Sequence, residues 1–291
     1  MHNIEMMIGS FLQEVCHTPQ NISEELIEKF GEQCKQSLRK HFTEERDRTF
    51  RLRMSNIGRD IRQLQMEKEH GSSPMAVPFL LRVFHGDLLE AFTVFILKAA
   101  GLNVTAHSKK VALDVEGTTV EGTLDIDIGD VTYDVKSASR WAFENKFKDI
   151  NTLAEGDDFG YIPQIYGYAE AEGKKAGGFI VINKDTTEIK VVSTPDNPVE
   201  YEKQRQFALT KIKNTVTHFK DNLPLPPCPG VEWETFRSKP TGAQVLGDKC
   251  RWCPRKDKCW PGVTQEPARS SSAKNPGMKY YIPNACVQDN K

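Results

Sequence analysis

The stretch EGTLDIDIGDVTYDVKSAS, residues 121–139, leaves this chain few ways to fold. Leu124, Ile126 and Ile128 alternate with Thr123, Asp125 and Asp127. Past Gly129-Asp130 the alternation resumes, with Val131, Tyr133 and Val135 against Thr132, Asp134 and Lys136. A period of two marks a strand with one apolar and one polar face. A two-residue turn with glycine first closes a tight hairpin. Counting back from that turn pairs Ile128 with Val131, Asp127 with Thr132, Ile126 with Tyr133, Asp125 with Asp134 and Thr123 with Lys136. Directly opposed residues share a face with Cβ atoms about 5 Å apart, where two carboxylates repel unless a cation stands between them. Two readings stay open for the stretch alone. One is a solvated face carrying a charge run; the other is a carboxylate pair around a divalent ion with a lysine at its edge.

The rest of the chain supplies cover for a sheet. Residues 3–70 read as helical and highly charged, with Asn21 or Ser23 as a cap before EELIEKFGEQCKQSLRKHF. GSSP (71–74) breaks the chain, and AVPFLLRVFHGDLLEAFTVFILKAAG then reads as a largely buried helix ending at Gly101. LNVTAH and KKVALDV read as strands before the hairpin, IPQIYGYAEAEG as a second buried helix, and AGGFIVINK with EIKVVST as a further hairpin. Residues 198–222 read as a charged helix; after LPLPPCPG the chain looks loop-rich, and SSSAKNPGMKYY reads as a tail. This order predicts an α/β fold with a mixed, mostly antiparallel sheet flanked by helices. The expected divisions are 1–74 (helical region), 75–222 (core), 223–270 (cysteine-rich region) and 271–291 (tail).

A hydrophobic share of 38% and a charged share of 27% suffice for a sizeable core. The net charge of −1 gives no bulk attraction to polyanions, although a local basic groove needs none. No apolar run approaches the roughly 20 residues that span a bilayer, and Met1–Cys16 has no basic leader-like start. The expectation is a cytoplasmic protein without membrane partners. The seven cysteines are Cys16, Cys34, Cys228, Cys250, Cys253, Cys259 and Cys286. Cys250-x2-Cys253-x5-Cys259, with Pro254 bending the loop, points to a soft metal centre, zinc or iron–sulfur, needing a distant fourth ligand.

Gly122-Thr-Leu-Asp125 followed by Asp134-Val-Lys136 resembles the G-x-x-D and (D/E)-x-K elements of PD-(D/E)XK nucleases. His85 on the preceding helix and Gln164-x-x-x-Tyr168 on the following one resemble two further signatures of the RecB-like branch. The resemblance implies a restriction-endonuclease-like core that hydrolyses DNA phosphodiesters as an exonuclease, on single-stranded or end-exposed DNA. It further implies Asp125, Asp134 and His85 as ligands of Mg²⁺ or Mn²⁺, Lys136 serving the attacking water, and Gln164 and Tyr168 positioning DNA or Lys136. Glu90, five residues beyond His85 on the helix, is an outside candidate expected to point away.

The cysteine triad is similar to that of RecB-like nucleases carrying a [4Fe-4S] cluster, including AddB nuclease domains and CRISPR-associated RecB-like nucleases. Their fourth ligand is a cysteine in an S-x-I-G-x-C-x-R element. Here Ser55-Asn-Ile-Gly-Arg-Asp60-Ile-Arg62 puts aspartate at that place. Asp60 is therefore the expected fourth ligand, with Cys34 and then Cys16 as alternatives. Arg59, Arg62 and the basic residues of CRWCPRKDKC are candidate phosphate contacts. No G-x-x-x-x-G-K-[ST] occurs, which argues against a helicase motor. The resemblance fits a stand-alone nuclease of a phage, acting in host cytoplasm, or of a recombination or CRISPR-type module with a protein partner. The alternative is an inactive or zinc-binding DNA-binding or scaffold protein on the same fold.

Overall fold

The computed structural model describes residues 2–45, 47, 49–71, 76–226 and 230–283; Cys228, Cys286 and residues 72–74 of the expected break lie outside them. The N-terminal stretch is three helices rather than one helical region: α1 (Asn3–His17), α2 (Glu24–Phe42, capped by the Ser23 hydroxyl) and α3 (Ile61–His70). Within the connection from α2 to α3, Arg53 forms an isolated bridge with Glu121. The chain continues through α4 (Val77–Ala99), β1 (Val104–Val115), β2 (Thr118–Ile128) and β3 (Val131–Ala138). A π-helical turn (Ala142–Lys146) and α5 (Ile150–Glu155) lead to α6 (Tyr161–Glu172), β4 (Lys175–Asn183), β5 (Ile189–Ser193) and α7 (Pro198–Lys220). Then come β6 (Val231–Phe236), β7 (Lys239–Leu246), α8 (Asp248–Arg251), α9 (Lys256–Cys259), β8 (Thr264–Pro267) and β9 (Met278–Tyr281). No helix among the described residues is long and apolar enough to cross a membrane.

The chain divides into two compact units, Met1–Gly58 with Pro74–Asp221, and Arg59–Ser73 with Asn222–Lys291. The first is a mixed α/β unit whose five-stranded sheet runs β1-β2-β3-β4-β5, antiparallel except for the parallel pair β3–β4. The Gly129-Asp130 turn, with Gly129 at φ +58°, sets Ile128 against Val131, Asp127 against Thr132 and Ile126 against Tyr133, the register counted from the sequence. Helices cover both faces of the sheet. Ile4 and Ile8 of α1 and Val94 and Leu97 of α4 pack with Ile126, Tyr133 and Ile180. Ile162, Ile165 and Tyr166 of α6 pack with Phe179 and Val181. Met54, Val120, Leu124, Tyr168 and Ile212 form a third cluster. Each such side chain contributes about 1.5–3 kcal/mol by leaving water.

Covering both faces changes the meaning of the acidic alternation. Asp127, Thr132 and Asp134 are buried, so the polar face is not a solvated one. Asp127 is satisfied structurally: it accepts hydrogen bonds from Thr132 Oγ1 at 2.7 Å and Lys174 Nζ at 2.7 Å, and Lys174 also reaches the Gly129 carbonyl at 3.3 Å. That set of donors pins the turn and removes Asp127 from the chemistry.

The second unit corrects the reading of residues beyond 222 as loops and tail. Its four-stranded sheet runs β6-β7-β9-β8, and β9 lies within the expected tail. The cause of the mismatch is Glu234, a charged residue at the centre of β6 that is only 1% exposed. It accepts hydrogen bonds from Tyr281 Oη (2.7 Å), Ser270 Oγ (2.9 Å), Thr241 Oγ1 (3.1 Å) and Lys279 Nζ (3.3 Å). Burial opposes its charge, but those four donors outweigh burial and hold the carboxyl down at about 2. A folded value below the unfolded one gives stability that is complete above the unfolded pKa, near 4.3, and lost as pH falls toward 2. Thermal unfolding of Glu234→Gln should therefore depend less steeply on pH between about 4.5 and 2 than that of the wild type. Equal slopes would remove the structural role given to this carboxylate.

Candidate active site and cysteine-lined cavity

The β2–β3 ladder ends at Ile126↔Tyr133, one pair short of the acids. Beyond it the Asp125 carboxylate takes the place of a strand carbonyl, accepting from the Val135 N–H at 2.8 Å. Asp125 and Asp134 thus meet where the two strands part. Asp134 is fully buried, its Oδ2 lies against the Lys136 ammonium, and its Oδ1 has no hydrogen-bond donor among the described residues. Burial, then Asp134 and Glu90, push the Asp125 carboxyl well above its ordinary range; burial also raises Asp134, against the pull of Lys136. Burial disfavours the charge on Lys136, yet Asp134 and Asp125 more than compensate and hold the ammonium protonated beyond its usual range.

Helix α6 presents Gln164 and Tyr168 four residues apart on one face toward these groups. Burial raises the Tyr168 phenol, a hydrogen bond with Gln164 lowers it, and Asp134, Asp125 and Lys136 all act on it. Gly122 is needed for this approach: a Cβ there would stand 2.5 Å from Met54 Cβ and 2.7 Å from Tyr168 Cε1. Gly58 and Gly160 make a second close crossing, at the N-terminus of α6, where a Cβ on Gly58 would lie 2.6 Å from the Gly160 Cα.

Of the expected residues, Asp125, Asp134, Lys136 and Tyr168 lie close enough to act on one another electrostatically, and Gln164 is joined to them through its hydrogen bond with Tyr168. His85 is exposed on α4. The α4 residue whose charge reaches both carboxylates is Glu90, expected to point away. Glu90 accepts from Ser108 Oγ at 3.2 Å and lies 3.5 Å from His107 Nε2; the other ring nitrogen, Nδ1, meets Gln33 Nε2 at 3.0 Å. His107 was not legible as a site residue, although it pairs with Ile126 immediately beside Asp125. Among the described residues no three His, Cys, Asp or Glu side chains converge tightly enough, as they stand, to enclose one metal ion.

In the second unit Asp60, Cys250, Cys253 and Cys259 line one cavity of about 20 Å³, with Met66 and Trp260 as apolar walls. Asp60 caps α3 through Oδ1, which accepts from the Arg62 N–H (2.9 Å) and the Gln63 N–H (3.3 Å), so capping does not use Oδ2. Burial raises the Cys253 thiol, and Cys259 adds to this while Arg59 and Lys256 oppose it. Gly230 allows the Cys250 sulfur to lie against its backbone. Cys34 is on α2 in the other unit, and Cys16 is exposed on α1.

No protein-family profile and no curated protein sequence matches the chain. Several solved structures are similar to it, two of which follow. One, the crystal structure of SSO0001, has a TM-score of 0.40 at 15% identity, over 64% of this chain and 84% of that one. The other, a candidate exonuclease from Eubacterium rectale, has a TM-score of 0.35 at 13% identity, over 77% of this chain and 70% of that one.

Proposed function

We propose that this chain is a Mg²⁺- or Mn²⁺-dependent DNA exonuclease whose centre is Asp125, Asp134 and Lys136. One observation carries the reading: two adjoining carboxylates, both raised above their ordinary range chiefly by burial, with Asp134 adding repulsion at Asp125, and a buried Oδ1 of Asp134 that has no donor among the described residues. A hard divalent cation fits that donor set, and Asp125 and Asp134 would hold it with Glu90 as the nearest further carboxylate. When bound, it supplies Lewis acidity toward a phosphodiester. Lys136, whose ammonium Asp134 and Asp125 favour in the metal-free protein, would orient the attacking water by donation or offset phosphate charge. Gln164 and Tyr168 remain neutral donors that position Lys136 or the strand.

The test is degradation of end-labelled DNA with Mg²⁺ or Mn²⁺ and with chelator. Glu90→Gln should lower the rate roughly 10–100-fold, as loss of a supporting ligand or outer-shell group does, and shift the metal concentration required. The exposed His85→Ala should keep both rate and metal preference. The reverse result would return the third position to His85.

The cysteine cavity we infer to be a metal site that ties α3 to the cysteine loop. Three thiols and a carboxylate oxygen free of capping are a soft-leaning donor set that suits a [4Fe-4S] cluster with Asp60 as fourth ligand. A second reading is a single zinc ion, favoured by the cavity, which has room for about one water. Iron against zinc content of the purified protein separates them.

A further inference from the structure

We propose that Phe159 is a stacking platform for an unpaired nucleobase of the DNA strand; this rests on the active-site reading above. An exposed phenylalanine is by itself unremarkable on a protein surface. Phe159, 54% exposed, differs in being held rigidly and in what lies beneath it. Its ring stacks on Tyr161 at 5.6 Å and 15°, and Tyr161 stacks in turn with Phe147 at 5.9 Å and 24°. The loop carrying it is pinned because both oxygens of Asp157 accept backbone N–H groups of α6, from Tyr161 and Ile162, each at 2.8 Å. Gly160 follows at φ +76°, locked against Gly58. A ring fixed this way loses little entropy when a base settles on it.

Two cations give the platform its direction. Lys136 Nζ stands 4.9 Å from the Tyr161 centroid, so the exposed ring is one aromatic layer from the candidate catalytic lysine. Lys146 Nζ lies 4.4 Å from the Phe159 centroid and 4.8 Å from that of Tyr161, and supplies a positive charge for the phosphate of the stacked nucleotide. An aromatic ring beside a basic side chain accepts any base with a free face, whereas a base inside a duplex has both faces covered and must first be unstacked. The platform therefore selects for strand state and not for sequence.

The experiment measures binding of the full chain, in chelator so that no cleavage occurs, to fluorescein-labelled oligo-dT and to an abasic strand of equal length and charge. Phe159→Ala should weaken oligo-dT binding roughly 5- to 150-fold, which is 1–3 kcal/mol for one stacked base at about 1.4 kcal/mol per tenfold. Binding of the abasic strand should be unchanged. Phe159→Leu should behave as Ala, and Phe159→Trp should retain the preference for bases. Wild-type binding by Phe159→Ala, an equal loss on both strands, or full rescue by Leu would each overturn the platform. Cleavage by Asp134→Asn is scored separately: if that variant still cuts DNA, the active-site reading fails whatever the binding data show.

Discussion

Asp134→Asn is expected to abolish nuclease activity, by at least about 10²–10³-fold, while the protein stays folded. The substitution keeps shape and removes charge from a buried carboxylate whose Oδ1 has no donor among the described residues. The stability readout distinguishes this from simple damage. In the metal-free protein both acids have folded pKa values raised above their unfolded ones. Each is therefore a cost that grows as pH rises from the unfolded pKa, near 3.9, through the folded one. Replacing Asp134 relieves Asp125 of a like charge, although Lys136 loses its nearest partner, so near-neutral stability should be little changed. Mn²⁺ at 100 times its Kd should raise wild-type stability by about 2.7 kcal/mol, roughly 5–10 °C in Tm for a unit of this size, and the variant by far less. A variant that cleaves at the wild-type rate, or gains the same Tm from Mn²⁺, would sink the assignment.

Cys259→Ser should release the metal and unfold the second unit, the other large effect. Structural metal sites of this kind contribute on the order of 10 kcal/mol to the segments they join, and this unit is small. Asp60 gives the sharper pair of variants. Asp60→Cys should retain metal against chelator better than the wild type, because thiolate is the softer donor. Asp60→Asn keeps the α3 cap, since its side-chain oxygen can still accept from Arg62 and Gln63, but gives up the carboxylate, so it should lose metal faster with α3 intact. Metal content by elemental analysis and helix content by circular dichroism read the two effects apart. If Asp60→Asn holds metal as tightly as the wild type while Cys34→Ala loses it, the fourth ligand is Cys34.

The hairpin was legible because one turn fixed its register: Gly129 takes the positive φ a tight turn needs, and every pairing up to Ile126↔Tyr133 follows from it. What happens past that pair was not legible, since no pattern says that a side chain will replace a strand carbonyl, as Asp125 does for Val135. Gln164 and Tyr168 could be placed on one helix face from spacing alone. Helix α4 could not be phased: VPFLLRVF is apolar on nearly every side, so nothing in it said that the buried side runs through Ala91, Val94 and Leu97, next to Glu90 and not His85. The second unit was misread for a different reason. Its sheet is organised around a buried charge, Glu234, and hydrophobic periodicity cannot see a strand whose central inward residue is an acid.

The parallel pairing of β3 with β4 has a kinetic consequence. Strand β3, which bears Asp134 and Lys136, is joined to β2 by three residue pairs but to β4 by eight. The hairpin can close once β3 has been synthesised, whereas β4 is complete only about 45 residues later. At 5–20 residues per second, the free edge of β3 waits on the order of 2–9 s on the ribosome. An unpaired edge is a template for aggregation, and charged side chains along it are the usual protection. Asp134 and Lys136 lie two residues apart on that strand, so the groups to which the chemistry is assigned in the proposal would also guard the nascent edge. Variants that neutralise both are expected to pass into inclusion bodies during synthesis even where the folded protein tolerates them.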